Sequence, residues 1–294
     1  MSSKEINLYL VRHGETEGNV DRSIYLTKAD HAIRLTPNGI EQAKEVGVFL
    51  TNHLKARYET QTSGLGKFGF GKHRFGKIRV WYSPYYRPRE TAYYSLLSLA
   101  EAFDPNSGII SYREDPFLFE QKAGLFDGLN DEEYLEAFPG EAADYAKHVK
   151  FNGRTYARSS LGESRIDVVI RAKPFFGTIL RDANVHNIRN AVIFCHGVTS
   201  RAINMGWMRY PPEWFDAERN PGNCWVRHIH GNSEKGYIDE GYIFGRGAPL
   251  NDPMKTQRLL KGAEDIYMLK PGRPNTIVPP GVKVVDPFAK HRSP

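Results

Sequence analysis

Residues 6–12 (INLYLVR) form a nearly unbroken apolar run and read as a buried strand. A polar loop follows to about residue 35. From there the period changes. Ile40, Ala43, Val46, Gly47 and Leu50 fall at helical spacing, with Thr36 at the N-cap and Pro37 at the first position. Residues 60–77 are rich in Gly and Lys, have no period, and read as an exposed insert loop. IRVWYS (78–83) predicts a second strand, which leads into a helix that opens on RPRETAYY. A short strand is expected near 108–112, and short helices and loops over 116–160. Gly162-Glu163-Ser164 opens a long helix to about Asp182, with Pro174 as a kink point. AVIFC (191–195) is the strongest buried strand of the chain, and VTSRAINMGWM continues it as a helix. NCWVRHIHGN and GYIDEGYIFGR read as a closing pair of strands. From Gly247 onward Pro and Gly dominate.

Strands that alternate with helices predict an α/β fold: a mainly parallel central sheet with helices on both faces and an inserted helical and loop cap at about 113–160. One domain is expected over 1–246, with an extended tail over 247–294. In such sheets ligands bind beyond the C-terminal ends of the strands. Three polar clusters fall at such ends: Arg12-His13, Ser83 to Arg87, and His196 after AVIFC.

Composition narrows the class. The 294 residues include 16 Phe, 16 Tyr and 4 Trp, ample material for a core. Only two cysteines are present, Cys195 and Cys224, which excludes a disulfide-rich scaffold and a four-cysteine zinc site. No apolar run approaches the roughly 20 residues of a membrane helix. The first residues lack a signal-peptide pattern, so the expectation is a cytoplasmic protein. Forty Lys+Arg against 34 Asp+Glu give +6, an excess that suits anionic ligands without indicating nucleic acid. Nothing in the sequence specifies an oligomeric state.

Two guanidiniums (Arg12, Arg87) and two imidazoles (His13, His196) at one sheet edge match a phosphoryl group. Arginine offers planar, permanently charged donors to phosphate oxygens. Imidazole donates a hydrogen bond, or attacks if one nitrogen is unprotonated. No Asp-rich cluster accompanies them, so no metal or other cofactor is expected. Cations beside His13 disfavour its protonation. A cation at a helix N-terminus is unfavourable, which favours a functional role for Arg87. A glycine and a helix start after His196 suit an anion site.

The residues also carry a resemblance. LVRHGETEGN (10–19), SPYYRPRETA (83–92), FEQKAGLFDG (119–128), GESRIDVVIR (162–171) and IFCHGVTSRA (193–202) resemble, in order, the segments of the histidine phosphatase superfamily of phosphoglycerate mutase-like fold. Asn220-Pro221-Gly222-Asn223 is similar to its plant and fungal members. The resemblance implies that His13 is the nucleophile that becomes phosphohistidine. It implies that Arg12, Arg87 and His196 form the phosphate pocket, and that Glu120 is the general acid and then base. Asn19 is implied as a secondary phosphate contact, with Gly14 and Gly197 as further substrate-binding positions. The activity implied is metal-independent hydrolysis of a small phosphorylated substrate, with inorganic phosphate as product. Two alternatives stay open: mutase-type phosphoryl transfer, and a low-activity regulatory protein that binds phospho-ligands. The mutases carry an R-H-Y-G type stretch where this chain has Gln121-Lys122-Ala123-Gly124, which favours hydrolysis.

The remaining histidines read as surface or strand residues, His228 and His230 sharing one strand face. Cys195 reads as a buried strand residue. The basic and aromatic residues of the insert loop, Lys67 to Lys77, read as a solvated surface feature. The pocket rim is expected from 20–35, 113–160 and 203–222.

Overall fold

The computed structural model describes residues 5–62, 76–103 and 107–250, together with the paired two-residue strands Met268–Leu269 and Ile277–Val278. In chain order its main elements are β1 (Ile6–Arg12), α1 (Glu17–Val20), α2 (Ile24–Thr27), α3 (Pro37–Thr62), β2 (Lys77–Tyr82), α4 (Tyr86–Ala102), β3 (Ile110–Glu114), α5 (Asp131–Ala137) and α6 (Pro139–Asn152). There follow α7 (Arg165–Val185), β4 (Ile188–Cys195), α8 (Gly197–Met208), α9 (Pro212–Ala217), β5 (Val226–Asn232) and β6 (Gly236–Phe244).

The side-chain alternation of β1 builds two cores. Leu8 and Leu10 point to one face, where they join Phe175 and Ile179 of α7 and Ile203 of α8. Tyr9 and Val11 point to the other, against Val46, Leu50 and Leu54 of α3 and Leu99 of α4. A strand covered on both faces must be apolar throughout, and β1 is buried except at Arg12. The six-stranded sheet runs β3-β2-β4-β1-β5-β6. β1 to β4 are mutually parallel, while β5 pairs antiparallel with β1, and β6 with β5. The expected α/β architecture, with an antiparallel pair closing one side, is the one observed.

Several boundaries move for physical reasons. α3 continues to Thr62, into the residues read as the insert loop, and 63–75 lie outside the described residues. β4 starts three residues before AVIFC, because Arg189 and Asn190 are buried within the sheet despite their polarity. α7 runs unbroken through Pro174. The residue four earlier, Ile170, is exposed, so water can serve the carbonyl that the proline leaves without a donor. The expected cap resolves into α5 and α6. The tail beyond Leu250 lies outside the described residues apart from the short strand pair.

A buried ion cluster braces β5. Arg227 donates to both carboxylate oxygens of Asp239 at 2.7–3.1 Å and to Glu218 at 3.2 Å. Asn204 of α8 and Tyr210 donate to Asp239 as well, each at 3.1 Å. Asp239→Ala leaves a buried cation with one acid partner and orphans three donors, Asn204, Tyr210 and the Gly241 N–H. The expected loss is about 3–5 kcal/mol of folding stability, read from the urea midpoint. A shift under about 1 kcal/mol would mean that the cluster relaxes into water.

Candidate active site

At the C-terminal edge of the parallel strands, the N–H of His13 donates to the Cys195 carbonyl at 3.0 Å, which ties the turn after β1 to the end of β4. His13 Nδ1 lies 2.8 Å from the Gly14 carbonyl. A carbonyl only accepts, so Nδ1 carries the proton and Nε2 of the neutral ring keeps its lone pair. Burial, then the Arg87 and Arg12 guanidiniums, hold the His13 pKa well below the ordinary 6.5. The ring is therefore neutral at pH 7.

Arg87 stands in the first turn of α4 and is 2% exposed. Its Nη1 reaches the Asp30 carbonyl at 2.5 Å and the Asp30 carboxylate at 2.8 Å. Arg12 Nη1 donates to the Pro221 carbonyl at 2.6 Å. The Nε atoms of both arginines and Nδ1 of His196 are buried without a hydrogen-bond partner among the described residues. Unpartnered nitrogens on Arg12 and Arg87, both of which line the cavity, suit an anion with several acceptor oxygens.

The His196 ring sits 5.4 Å from that of His13, edge to face, and is fully buried. It is not among the residues that line the cavity. Its Nε2 is 2.9 Å from Ser83 Oγ at the end of β2. A Ser83 hydroxyl that donates here leaves Nδ1 as the protonated nitrogen. Burial is the main cause that lowers the His196 pKa, with Arg87 next.

Glu120 is brought in by a clamp. Arg171 of α7 donates to the carbonyls of Phe117 (2.7 Å) and Phe119 (2.9 Å), pairs with Glu163 (2.7 Å), and stacks 3.7 Å over the Phe119 ring. This explains the Gly162–Arg171 motif: it aims the segment that carries Glu120. Glu120 Oε1 accepts from Gln121 N, Thr199 N and Thr199 Oγ1 at 2.9–3.2 Å, and Oε2 from Val198 N at 3.4 Å. The N-terminus of α8, read in sequence as an anion site, thus holds the protein's own carboxylate.

The two glycines expected to touch substrate do not line the cavity. The Gly14 N–H donates to Thr91 Oγ1 at 3.0 Å, and a Cβ there would fall 2.5 Å from the Gly39 carbonyl. A Cβ at Gly197 would fall 2.3 Å from Asn220 Oδ1. Backbone packing requires the glycine at 14, while at 197 the neighbour is the Asn220 side chain. Asn19 does line the cavity, and its Oδ1 accepts from Thr16 N and from Asn223 Nδ2, each at 3.1 Å. Of the expected rim, 203–222 supplies the Pro221 carbonyl but no lining side chain.

The cavity holds about 850 Å³, far more than one phosphoryl group needs. Arg12, His13, Arg87 and Glu120 occupy one wall, and residues from 18–30 and 120–163 form the rest. Sequence reading assigned no role to Ser83 or Asp30. Ser83 stands in a quoted motif, but its partner is 113 residues away. Asp30 carries no local signal.

Elsewhere His228 stacks on Tyr9 at 4.7 Å and bonds Asn7, and burial lowers its pKa to about 3. His230 bonds Glu240 at 2.8 Å. Among the described residues no group of three or more His, Cys, Asp or Glu is placed to hold a metal ion. Burial pushes the Cys195 thiol up, as expected of a packed strand residue.

Parallel strands that deliver two histidines and two arginines to one edge define an α/β protein with a cationic, histidine-bearing site at the C-terminal ends of its strands. The histidine phosphatase superfamily (branch 1) matches at residues 8–65 and 53–241, and the chain belongs to that superfamily. The phosphoglycerate mutase-like protein AT74 of Arabidopsis thaliana is 31% identical over 228 residues, 75% of this chain and 63% of that protein. The chain therefore matches less than two thirds of that relative's length. The broad-range acid phosphatase DET1 of Saccharomyces cerevisiae is 26% identical over 275 residues, 74% of this chain and 82% of that protein. Among solved structures, a mycobacterial glucosyl-3-phosphoglycerate phosphatase superposes with a TM-score of 0.54 at 20% identity, over 81% of this chain and 98% of its own. Mycobacterial hydrolase 1 does so at 0.57 and 19%, over 83% and 100%. These structures share the fold. None of the described helices is long and apolar enough to cross a membrane.

Proposed function

We propose that the chain is a metal-independent phosphatase that hydrolyses small phosphomonoesters through a phosphohistidine on His13. The observation that carries the reading is the Nδ1–H···O=C bond to Gly14, which leaves the Nε2 lone pair of a neutral ring free on a cavity that Arg12 and Arg87 also line. Nε2 attacks phosphorus as the bond to the leaving oxygen breaks, and Glu120 gives that oxygen its proton. Glu120 then takes a proton from water, which attacks the phosphohistidine. The P–N bond breaks and orthophosphate departs. Arg12 and Arg87 stabilise charge on the equatorial oxygens, the task a metal performs in other phosphoryl-transfer sites. His196, held by Ser83, packs edge to face on the His13 ring and helps to hold it in place. Residues 1–246 constitute the catalytic domain, and the setting is the cytoplasm.

Gln121 and Lys122 support hydrolysis over mutase transfer. Gln121 is spent on the Glu163 carbonyl and Lys122 lies over the Phe119 ring, 5.4 Å from its centre. The similarity to an acid phosphatase points the same way.

The test is turnover of p-nitrophenyl phosphate in EDTA, with inhibition by vanadate. No turnover between pH 4 and 9 would favour a binding protein. The pH profile carries a second expectation. The His13 pKa is depressed, so the neutral, attacking ring persists as pH falls through 6.5. kcat/KM is expected to show no acid limb centred near 6.5, and such a limb would mean an exposed, ordinary imidazole. The folded protein pays for this in acid. Below 6.5 the unfolded chain binds protons that the buried His13, His196 and His228 refuse, so the melting temperature falls from pH 7 toward 4.

A further inference from the structure

Tyr85 belongs to the SPYYRPRETA segment, and the mechanism above leaves it without a task. It is the N-cap of α4, half-buried, and is not among the residues that line the cavity. Its ring nevertheless joins four separate parts of the site. The Arg87 guanidinium carbon lies over it, 5.1 Å from its centre. The His196 ring meets it edge to face, also at 5.1 Å. Phe119, the residue before Glu120, lies near-parallel to it at 6.5 Å. His31, next in the chain to Asp30, meets it edge-on at 6.4 Å.

The contact with Arg87 has the clearest consequence. Asp30 takes Nη1 of that guanidinium through its carbonyl and its carboxylate, and Nε is left without a partner. A phenol ring attracts a cation through its electron-rich face, more strongly where water is excluded, and Arg87 is buried. The attraction also offsets the cost of a cation in the first turn of a helix. A ring against the flat face leaves the N–H groups of the guanidinium unused, whereas a carboxylate would occupy them. Burial, then Asp30, pushes the Tyr85 hydroxyl up to about 12, so the phenol stays neutral at any assay pH and brings no charge that would repel an anion.

We propose that Tyr85 is a positioning residue of the phosphoryl site: its ring holds the Arg87 guanidinium in the orientation that meets an anion and braces the His196 ring beside it. The proposal rests on the reading that the scissile phosphoryl group meets Arg87.

Calorimetry with orthophosphate tests this whether or not the protein turns over esters. Tyr85→Leu removes the ring face and is expected to weaken orthophosphate binding about tenfold. Tyr85→Met does the same with different packing, so one non-aromatic variant is in hand if the other does not fold. Tyr85→Phe keeps the ring without the hydroxyl and is expected to recover the affinity to within about twofold of the parent. A merely loosened fold would also weaken binding, and a double-mutant cycle separates the two causes. In the Arg87→Gln background, Tyr85→Leu is expected to cost about twofold or less, because the cation that the ring orients is gone. An equal loss in both backgrounds overturns the proposal. So does unchanged affinity in the Leu and Met variants, or a Phe variant as weak as they are. Turnover of p-nitrophenyl phosphate reports separately on the phosphatase reading. A parent that binds orthophosphate without turnover defeats that reading and leaves this comparison decisive, and a parent that binds no orthophosphate overturns both.

Discussion

Replacing His13 with Ala is expected to lower kcat for p-nitrophenyl phosphate by on the order of 10⁴-fold or more. The reasoning is geometric. In the neutral ring Nε2 keeps its lone pair free beside the charges of Arg87 and Arg12, because the Gly14 carbonyl claims the proton on Nδ1. The neighbouring His196 cannot substitute, since it is fully buried and does not line the cavity. His13→Asn serves as a second variant, because it keeps a donor for Gly14 and removes the nucleophile without opening a large void. Both variants should retain orthophosphate and vanadate binding, because the arginines remain. Acid-labile labelling from a radioactive phosphoryl donor should vanish in both. A label that persists, or a kcat within tenfold of the parent, would place the nucleophile elsewhere.

Glu120→Gln is expected to divide substrates by leaving group. Alkyl phosphates, whose alkoxide needs a proton as it departs, should slow by about 10²–10⁴-fold. p-Nitrophenyl phosphate, whose phenolate leaves unaided, should slow by about tenfold or less in its first step. The substitution is close to isosteric in hydrogen bonding. Oε1 receives three of the donors, so an amide oxygen in that place keeps them, and the amide nitrogen faces only the long contact from Val198 N at 3.4 Å. A uniform loss across leaving groups would assign Glu120 to electrostatics or positioning rather than proton transfer.

These two residues also measure how far the sequence could be read. His13 follows a strand whose apolar run is unmistakable, and the end of a parallel strand is where such a sheet exposes its functional groups. Arg87 and His196 follow the same logic. Glu120 differs, since neither period nor composition marks it, and only the motif resemblance singled it out. Its place depends on Arg171, 51 residues later, which grips two carbonyls that a sequence does not display. Gly14 and Gly197 were legible as special but not as to why. Each accommodates a distant segment, Gly39 or Asn220, whose approach is a tertiary fact. The helix start at Gly197 was read as open to an anion, and Glu120 from a remote loop takes it. Element ends moved for a related reason: burial of Arg189 and Asn190 within a covered sheet overrides their local polarity.

The bond between Arg87 and Asp30 bears on how the protein lets go of what it binds. The guanidinium that the proposed mechanism sets against the phosphoryl oxygens already has an internal counter-ion, so an arriving anion would compete with a tethered carboxylate for it. That competition weakens capture, but it runs equally in reverse. On that mechanism, as orthophosphate loosens, Asp30 is in place to reclaim the arginine, which keeps the pocket from becoming a trap for its own product.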